Sequence, residues 1–285
     1  MMEKRISKKR RKPISPIKIL IYIVLILLVL IYILPLLWMV LVSLKTNQEV
    51  LTSPFSLPEV LQIGNYIFAW VNRNLGTASL NSVIICGISL VVSLLLGSMA
   101  AFAIGRMKWK LANPMMSYFL IGMMVPVHCI LIPLFVQFSK WHLTNSLVGL
   151  IVPYTTLSLP MTIFLMVGFF RGMPKEMFEA TCIDGCSIYG CFTKIALPLA
   201  KNGLFVAGLM TFVANWNELL LAMVFISDPA KKTLPVTLTY FVGPYATNYV
   251  QMFAAIIIAI APTIVVYCIF SNQIVDGLTA GAVKG

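Results

Sequence analysis

Long apolar runs separated by short polar segments dominate this chain. Each run approaches or exceeds the roughly 20 residues that a helix needs to cross a bilayer. The first run follows a basic N-terminal segment, but it is too long for the apolar region of a cleaved signal peptide and lacks a small-residue cleavage site. The pattern therefore predicts an all-α, polytopic membrane protein with six transmembrane helices. These spans are predicted at residues 19–44, 79–105, 114–138, 146–170, 202–226 and 250–271.

The composition agrees with a membrane protein. Of the 285 residues, 60% are hydrophobic and 11% are charged, and the mean hydropathy is +0.94. A soluble protein of this size needs far more polar surface. The net charge of +12 raises the question of nucleic-acid binding. The Lys and Arg residues lie mainly at the N-terminus and in short loops, where topology and anionic lipid explain them, so no nucleic-acid partner is expected.

The basic residues also indicate the orientation of the chain. With the N-terminus in the cytoplasm, the inner segments carry 16 of the 21 Lys and Arg residues and the outer loops carry 5. Cytoplasmic loops of membrane proteins hold such an excess, so both termini are predicted to be cytoplasmic. The predicted parts are a basic N-terminal tail at 1–18, a first transmembrane helix at 19–44, an extracytoplasmic loop at 45–78, a five-helix core at 79–271 and a C-terminal tail at 272–285.

Small residues and prolines mark places where the predicted spans approach one another or bend. Gly97 and Ala101 are four residues apart, which places two small side chains on one helix face and permits close approach of a second helix. Proline within a membrane helix leaves a backbone carbonyl unpaired and permits a kink. We expect plain packing rather than a hinge at any single proline. The prolines concerned are Pro126, Pro133, Pro153 and Pro160.

A segment at 171–201 is more polar than the runs around it and is predicted to be cytoplasmic. Pro174 suits the first turn of a helix, where its missing N–H costs nothing. An Asp-Gly pair at 184–185 ends that helix, since Gly can adopt the left-handed conformation. A second short helix is expected at about 187–197, and Pro198 marks the bend into the fifth span. This helix–turn–helix either docks in a groove of a cytoplasmic partner or lies flat on the lipid surface.

The sequence FEATCIDGCSIYGCFTKIALPL resembles the EAA loop of ABC importer permeases, whose pattern is E-A-A-x-x-D-G-A followed by an aromatic residue, an apolar stretch and L-P. Thr181 and Cys186 depart from that pattern, although both are small. The tail GLTAGAVKG at 277–285 is similar to that of the carbohydrate-uptake branch, the maltose-type second permease subunit. The matching loop residues are Glu179, Ala180, Asp184, Gly185, Phe192, Leu197 and Pro198. Three other stretches resemble this branch, at 65–85, 125–135 and 215–222.

The resemblance implies a type I ABC importer permease fold with a cytoplasmic coupling helix that docks on a separate ATPase subunit. The implied partners are a homologous second permease, an ATPase dimer that holds ATP and Mg²⁺, an extracytoplasmic solute-binding protein and membrane lipid, with no cofactor on this chain. The solute is expected to be a sugar or oligosaccharide, and the location the inner cell membrane of a bacterium or archaeon. The sequence has no G-x-x-x-x-G-K-[ST] phosphate loop, which agrees with ATP hydrolysis on another subunit.

The resemblance also implies roles for particular residues. The loop residues would couple this chain to the ATPase, and the last residues of the tail would reach the ATPase dimer interface. The implied coupling residues are Pro174, Phe178, Glu179, Ala180, Asp184, Gly185, Phe192 and Pro198. The implied ATPase-contacting tail residues are Gly281, Val283, Lys284 and Gly285.

A polar stripe occurs in the fifth predicted span. Thr211, Asn215 and Glu218 are spaced by four and three residues and so share one helix face. Glu218 is the one acidic residue deep in a predicted span, where a charge is costly unless it faces a polar interior. The stripe either lines a solute pathway or ties this span to a neighbouring helix, and His128 is either a path residue or a core histidine. The candidate path residues are His128, Thr211, Asn215, Trp216, Asn217 and Glu218.

Two other functions stay open at this stage. One is an ABC permease for a different small solute. The other is a secondary transporter driven by an ion gradient, with Glu218 as proton carrier, although the inverted repeat common in such proteins is not evident. Catalysis is not expected, because no Ser/His/Asp set or convergent carboxylate pair occurs in the membrane. No metal site is expected either, since Cys182, Cys186 and Cys191 lack a fourth ligand nearby.

Overall fold

The computed structural model describes residues 16–241 and 248–282. Within these ranges the chain is helical and has no strand, in agreement with the all-α prediction. The helices are α1 (Pro16–Ser43), α2 (Asn47–Thr52), α3 (Gly64–Ile67), α4 (Leu75–Arg106), α5 (Ala112–Met123), α6 (Val127–Lys140), α7 (Leu147–Gly172), α8 (Lys175–Ile183), α9 (Ile188–Gly190), α10 (Leu197–Leu199), α11 (Lys201–Trp216), α12 (Leu220–Phe225), α13 (Leu234–Leu238) and α14 (Tyr249–Ala282). π-Helical stretches lie at Phe68–Asn72 and Cys191–Ala196, and 3₁₀ turns at Pro229–Lys231 and Thr239–Phe241.

Four helices are long and apolar enough to cross a membrane unaided, namely α1, α4, α7 and the Tyr249–Ser271 part of α14. Two further crossings are bent pairs. α5 and α6 meet at 93°, and the helical segment Ile188–Leu199 meets α11 at 77°. The described chain therefore has up to six crossings, as predicted, when each bent pair counts as one.

The third and fifth predicted spans are not continuous helices. α5 ends at Met123 and α6 begins after Pro126, whose backbone is extended with ψ of 133°. Proline has no N–H to donate to the hydrogen-bond ladder of a helix. The third span is therefore broken at Pro126, where we expected the proline only to take part in packing. The apolar run at 202–226 is interrupted as well, because α11 ends at Trp216 and α12 begins at Leu220.

The core is built around α4 and α7, which share the most extensive packing of any helix pair in the described ranges. Gly97 of α4 is buried against α7, and a Cβ added to it would lie 2.5 Å from Cγ2 of Thr162. Ser93 donates a hydrogen bond of 3.3 Å from α4 to the carbonyl of Thr155 on α7. Small side chains at Gly97 and Ala101 thus let two membrane helices approach closely, as their spacing predicted.

The remaining long helices pack around this pair. α11 contacts α4, α7 and α14, and Trp216 Nε1 donates to the carbonyl of Ala259 on α14 at 3.0 Å. α1 also packs against α14, where the ring of Trp38 meets that of Phe253 edge-on at 5.4 Å. Most of α1 is exposed in this chain. A helix that is apolar on every side suits a lipid or protein surface within the membrane.

The loop between α1 and α4 is held together by side-chain hydrogen bonds. Lys45 is completely buried, and its Nζ donates to the carbonyl of Ser53 at 2.8 Å and to Oγ of Ser56 at 3.1 Å. Thr46 and Glu49 form a capping box at the start of α2. The hydrogen bond from the backbone N–H of Thr46 lowers the pKa of the Glu49 carboxyl.

Candidate functional site

The polar segment after α7 forms a helix–turn–helix, which we call the α8 loop and define as residues 173–200. Pro174 has an extended backbone and directly precedes α8. Gly185 follows the end of α8 with φ of +74°, a left-handed conformation that glycine adopts without penalty. Ser187 then begins the second helix, because its Oγ accepts the backbone N–H of Gly190 at 3.2 Å.

The second helix of the α8 loop is longer than predicted. It runs continuously through Ile188–Leu199 rather than ending at 197, and the 77° bend into α11 falls at Ala200 rather than at Pro198. Pro198 lies inside this continuous helix, one residue before its end at Leu199, so the helix does not end at the proline.

One side of the α8 loop is exposed in this chain. Ile183 is 86% exposed. Tyr189 is 76% exposed but lines a groove together with Phe102 and Phe192, so it borders the inner side of the loop. In the described ranges the one close ion pair joins Lys231 to Asp228. Of the acidic side chains of the loop, Glu176 interacts electrostatically with Arg106 of α4. The predicted coupling residues on this exposed side are Pro174, Glu179, Ala180, Asp184, Gly185 and Pro198.

Phe178 and Phe192, which were predicted as coupling residues, lie on the opposite, inner side of the loop. Both rings pack against Phe102 near the end of α4, with ring centroids 6.1 Å and 5.3 Å away. Arg106, the last residue of α4, places its guanidinium carbon 4.7 Å from the Phe178 ring centroid. The sequence did not point to Phe102 or Arg106, because neither belongs to the loop segment.

The predicted tail contacts fall largely outside the described residues. Gly281 belongs to α14, whose helical backbone continues to Ala282. Val283, Lys284 and Gly285 are outside the described residues, as is most of the N-terminal tail predicted at 1–18.

A cavity lies between α7 and α11, at the break before α12. It encloses about 600 Å³, including its open mouth. Its polar groups come from both helices, with Tyr154 and Ser158 on α7 facing Thr211, Asn215 and Glu218. The apolar part of the wall consists of Val127, Leu157, Met161, Met210, Ala214 and Leu221.

The polar groups of the cavity form a connected arrangement. Tyr154 Oη donates to Glu218 Oε2 at 2.7 Å, and Ser158 Oγ donates to Asn215 Oδ1 at 3.2 Å. Asn215 Nδ2 is buried and has no hydrogen-bond partner within the described part of the chain. The amide therefore presents an unused donor beside the cavity. The i, i+4 spacing of Tyr154 and Ser158 was a signal in the sequence, but nothing there showed which helix faces the polar stripe.

Glu218 was predicted to lie deep in a span. In the structure it lies in the break between α11 and α12. Its Oε1 accepts the backbone N–H of Leu221 at 2.8 Å, and its Oε2 accepts that of Ala222 at 3.1 Å. The carboxylate thus satisfies backbone donors at the start of α12 and, through Tyr154, ties the break to α7. The pathway and structural interpretations of this residue are compatible, because the same carboxylate lines the cavity and caps a helix.

The other predicted path residues lie away from the cavity wall. Trp216 is buried against α14, and Asn217 is exposed and donates to the carbonyl of Val213 in its own helix at 2.8 Å. His128 is exposed at the start of α6, so it is not the core histidine that was expected as an alternative. Its neighbour Val127 lines the cavity instead.

Bent and broken spans, a polar cavity between helices and a protruding α8 loop together define a multi-pass membrane transport component. The chain belongs to the family described as "Binding-protein-dependent transport system inner membrane component", which matches residues 93–276. Its members are transporter permeases, which are membrane subunits and not enzymes. The matched range includes the α8 loop and every residue of the cavity wall.

Individual relatives agree with this assignment. The chain is 33% identical over 252 residues to the "Diacetylchitobiose uptake system permease protein NgcG" of Streptomyces coelicolor, which covers 88% of this chain and 83% of that protein. It is 35% identical over 252 residues to the "Sulfoquinovosyl glycerol transport system permease protein SmoH" of Agrobacterium fabrum, with 88% of each chain covered. The resemblance to carbohydrate-uptake permeases of ABC importers is thereby confirmed.

A solved structure supports the fold. It is described as the "Crystal structure of a bacterial ABC transporter involved in the import of the acidic polysaccharide alginate". One of its chains matches this one with a TM-score of 0.81 and 20% identity, over 92% of this chain and 99% of that chain. The predicted type I ABC importer permease fold is confirmed by this match.

Proposed function

We propose that this chain is one of two permease subunits of an importer that takes up a sugar or oligosaccharide with energy from ATP. The names of the two relatives both refer to glycosides, which supports a carbohydrate as the solute. ATP and Mg²⁺ belong to an ATPase dimer, and an extracytoplasmic binding protein delivers the solute. The assembly lies in the inner membrane of a bacterium or archaeon, with both termini of this chain in the cytoplasm.

The exposed side of the α8 loop carries this proposal. Ile183 is large, apolar and mostly exposed, and covering it stabilises a complex by roughly 1.5–3 kcal/mol. The loop also exposes the carboxylates of Glu179 and Asp184, which have no ion-pair partner in the described ranges. A groove with basic residues on the ATPase is the partner that fits both features, with Glu179 paired to a cation.

The cavity between α7 and α11 is the part of the solute pathway that we assign to this subunit. Hydroxyl, amide and carboxylate groups of Tyr154, Ser158, Asn215 and Glu218 line one side, and Met and Leu side chains line the other. Such a mixture suits a polyhydroxylated ring, which has hydroxyl groups on its edge and C–H groups on its faces. The buried Nδ2 of Asn215, which has no partner in the described residues, is the donor that we assign to a sugar hydroxyl at the cavity wall.

The proposed mechanism is alternating access driven through the α8 loop. Closure of the ATPase dimer around ATP pushes the loop, the helix bundle rocks, and the cavity opens toward the binding protein. Hydrolysis returns the cavity to the inward-facing state. Chemistry on another subunit thus changes the shape of this one through a contact, without catalysis by this chain.

Uptake into proteoliposomes tests the proposal. The complete transporter is reconstituted with its binding protein, and entry of radiolabelled disaccharides is measured with ATP present and all ion gradients collapsed by ionophores. We expect uptake that requires ATP and persists without a gradient. Uptake driven by a proton gradient in the absence of ATP contradicts the proposal and favours an ion-coupled carrier that uses Glu218.

A further inference from the structure

Arg106 joins α4 to the start of the α8 loop at the foot of the bundle. It is the last residue of α4, and its guanidinium donates a hydrogen bond to the carbonyl of Met173, the first residue of the α8 loop, directly after α7. Met173 has an extended backbone with ψ of 150°, so its carbonyl lies outside the helical ladder of α7. The same guanidinium stacks over Phe178 of α8. One side chain of α4 therefore contacts the α8 loop at both Met173 and Phe178, and it also interacts electrostatically with Glu176 of α8.

Phe102 lies one helical turn before Arg106 and contacts both helices of the α8 loop. It packs against Phe178 from α8, Phe192 from the second loop helix and Phe170 from α7, with the Phe170 ring edge-on at 5.6 Å. Both halves of the α8 loop thus contact a single side chain of α4. Phe102 is 7% exposed and Phe170 is fully buried, whereas Phe178 and Phe192 are half-buried and Phe192 borders an open groove.

The environment of Arg106 strengthens its contact with Phe178. The Nε atom is buried and has no hydrogen-bond partner within the described residues. A guanidinium that is partly removed from water is held more tightly by an aromatic face than one at an open surface. Lys108, two residues further along the chain, is exposed and offers a basic side chain without such a contact.

We propose that Arg106 and Phe102 receive the movement of the α8 loop and pass it to the α4–α7 pair, which makes Arg106 a positioning residue for coupling. This rests on the proposed docking of the loop on an ATPase. The loop is also continuous with α11, but a 77° bend separates the two helices there. Side-chain contacts onto α4 instead move the helix pair that packs most extensively in the described chain. Phe178 and Phe192 then act inward, as links to the bundle, rather than outward on the partner.

The test compares variants in the reconstituted transporter by the number of solute molecules taken up per ATP hydrolysed. Arg106→Gln removes the charge, Arg106→Lys keeps it without the planar fork, and Lys108→Gln is the matched control. We expect Arg106→Gln to lower the ratio by roughly three- to tenfold, as loss of one cation–π contact allows, while ATP hydrolysis and subunit assembly persist. Arg106→Lys should recover part of the loss, and Lys108→Gln should match the wild type.

A second variant decides the matter if Arg106→Gln fails to assemble. Phe178→Leu keeps an apolar side chain of similar bulk but removes the aromatic face, and it should lower the ratio in the same way. Combined with Arg106→Gln, it should lower the ratio by less than the two single effects together, because both changes remove the contact between Arg106 and Phe178. A wild-type ratio in Phe178→Leu or in assembled Arg106→Gln overturns the inference.

Gly185→Val separates this inference from the proposed function. That substitution strains the turn of the α8 loop without touching Arg106 or Phe102. If Gly185→Val uncouples the transporter while the Arg106 and Phe178 variants do not, the α8 loop still docks on the ATPase. Arg106 and Phe102 are then not the residues that receive its movement. If none of these variants changes the ratio, the docking role of the loop itself is wrong.

Discussion

Two glycines of α4 provide a matched test of the helix packing at the centre of the molecule. Gly97 faces α7, where an added Cβ would lie 2.5 Å from Cγ2 and 3.0 Å from Cβ of Thr162. Gly87 lies in the same helix, and an added Cβ would meet nothing within 4 Å. The substitutions Gly97→Ala and Gly87→Ala therefore add the same atoms to the same helix in a crowded and in an open place.

The expected magnitude follows from this difference. Both substitutions favour the helix by roughly 0.5–1 kcal/mol, so that contribution cancels when the two variants are compared. Gly97→Ala also overpacks the α4–α7 contact, which costs about 1–3 kcal/mol. Thr162 has little freedom to move aside, because its side chain is β-branched and its Oγ1 donates to the carbonyl of Ser158 at 3.0 Å.

Thermal unfolding in detergent, followed by intrinsic tryptophan fluorescence, measures the effect. We expect Gly87→Ala to unfold at or slightly above the wild-type temperature, and Gly97→Ala to unfold lower than Gly87→Ala. At roughly 2–4 °C per kcal/mol, the two midpoints should differ by about 2–12 °C. Equal midpoints, or a higher midpoint for Gly97→Ala, would refute the close approach of α4 and α7 at this residue.

Three further predictions concern single residues. Gly185→Val should abolish ATP-driven uptake in a protein that still inserts into the membrane. Gly185→Asn should retain most of the uptake, since Asn tolerates a positive φ better than Val. Equal uptake by the two variants contradicts a role for the turn. Glu218→Gln should lower thermal stability by about 1–3 kcal/mol, because one backbone donor of α12 loses its acceptor, and an unchanged midpoint counts against the cap. The lowered pKa of Glu49 means that its capping box contributes stability at neutral pH and loses it as the pH falls through that pKa. The protection of amides 47–52, relative to free peptide at the same pH, should therefore fall only in acid, and protection that stays unchanged in acid contradicts this.

The sequence predicted those features that depend on local chemistry. Gly185 adopts the left-handed turn because an Asp-Gly pair at the end of a helix has few alternatives. The close contact at Gly97 follows from small residues spaced by four in an apolar helix. Four of the six apolar runs correspond to single long helices, and the third and fifth correspond to two successive helices each, α5 with α6 and α11 with α12, because hydrocarbon length constrains all the runs alike.

Features that depend on which surfaces meet were not predictable in the same way. The break before α12 falls at the polar residues Asn217 and Glu218, but polar residues on one face of a continuous helix give the same pattern, so the position of Glu218 at a helix start could not be read from hydropathy. Phe178 matches the loop pattern whether it faces a partner or the bundle, and only its contact with Arg106 shows the direction. Tyr154 lines the cavity because α7 packs on α11, and no local sequence pattern predicts that packing.

A photo-crosslinking amino acid at Ile183 tests the docking of the α8 loop most directly. Ile183 is 86% exposed at the end of α8, and Phe55, 82% exposed in the loop between α1 and α4, is the matched control on the other predicted side of the membrane. In transport-competent proteoliposomes, we expect irradiation to join the Ile183 probe to the ATPase subunit and the Phe55 probe not to reach it. Adducts of the Ile183 probe with lipid alone, in a transporter that still takes up solute, would contradict the account.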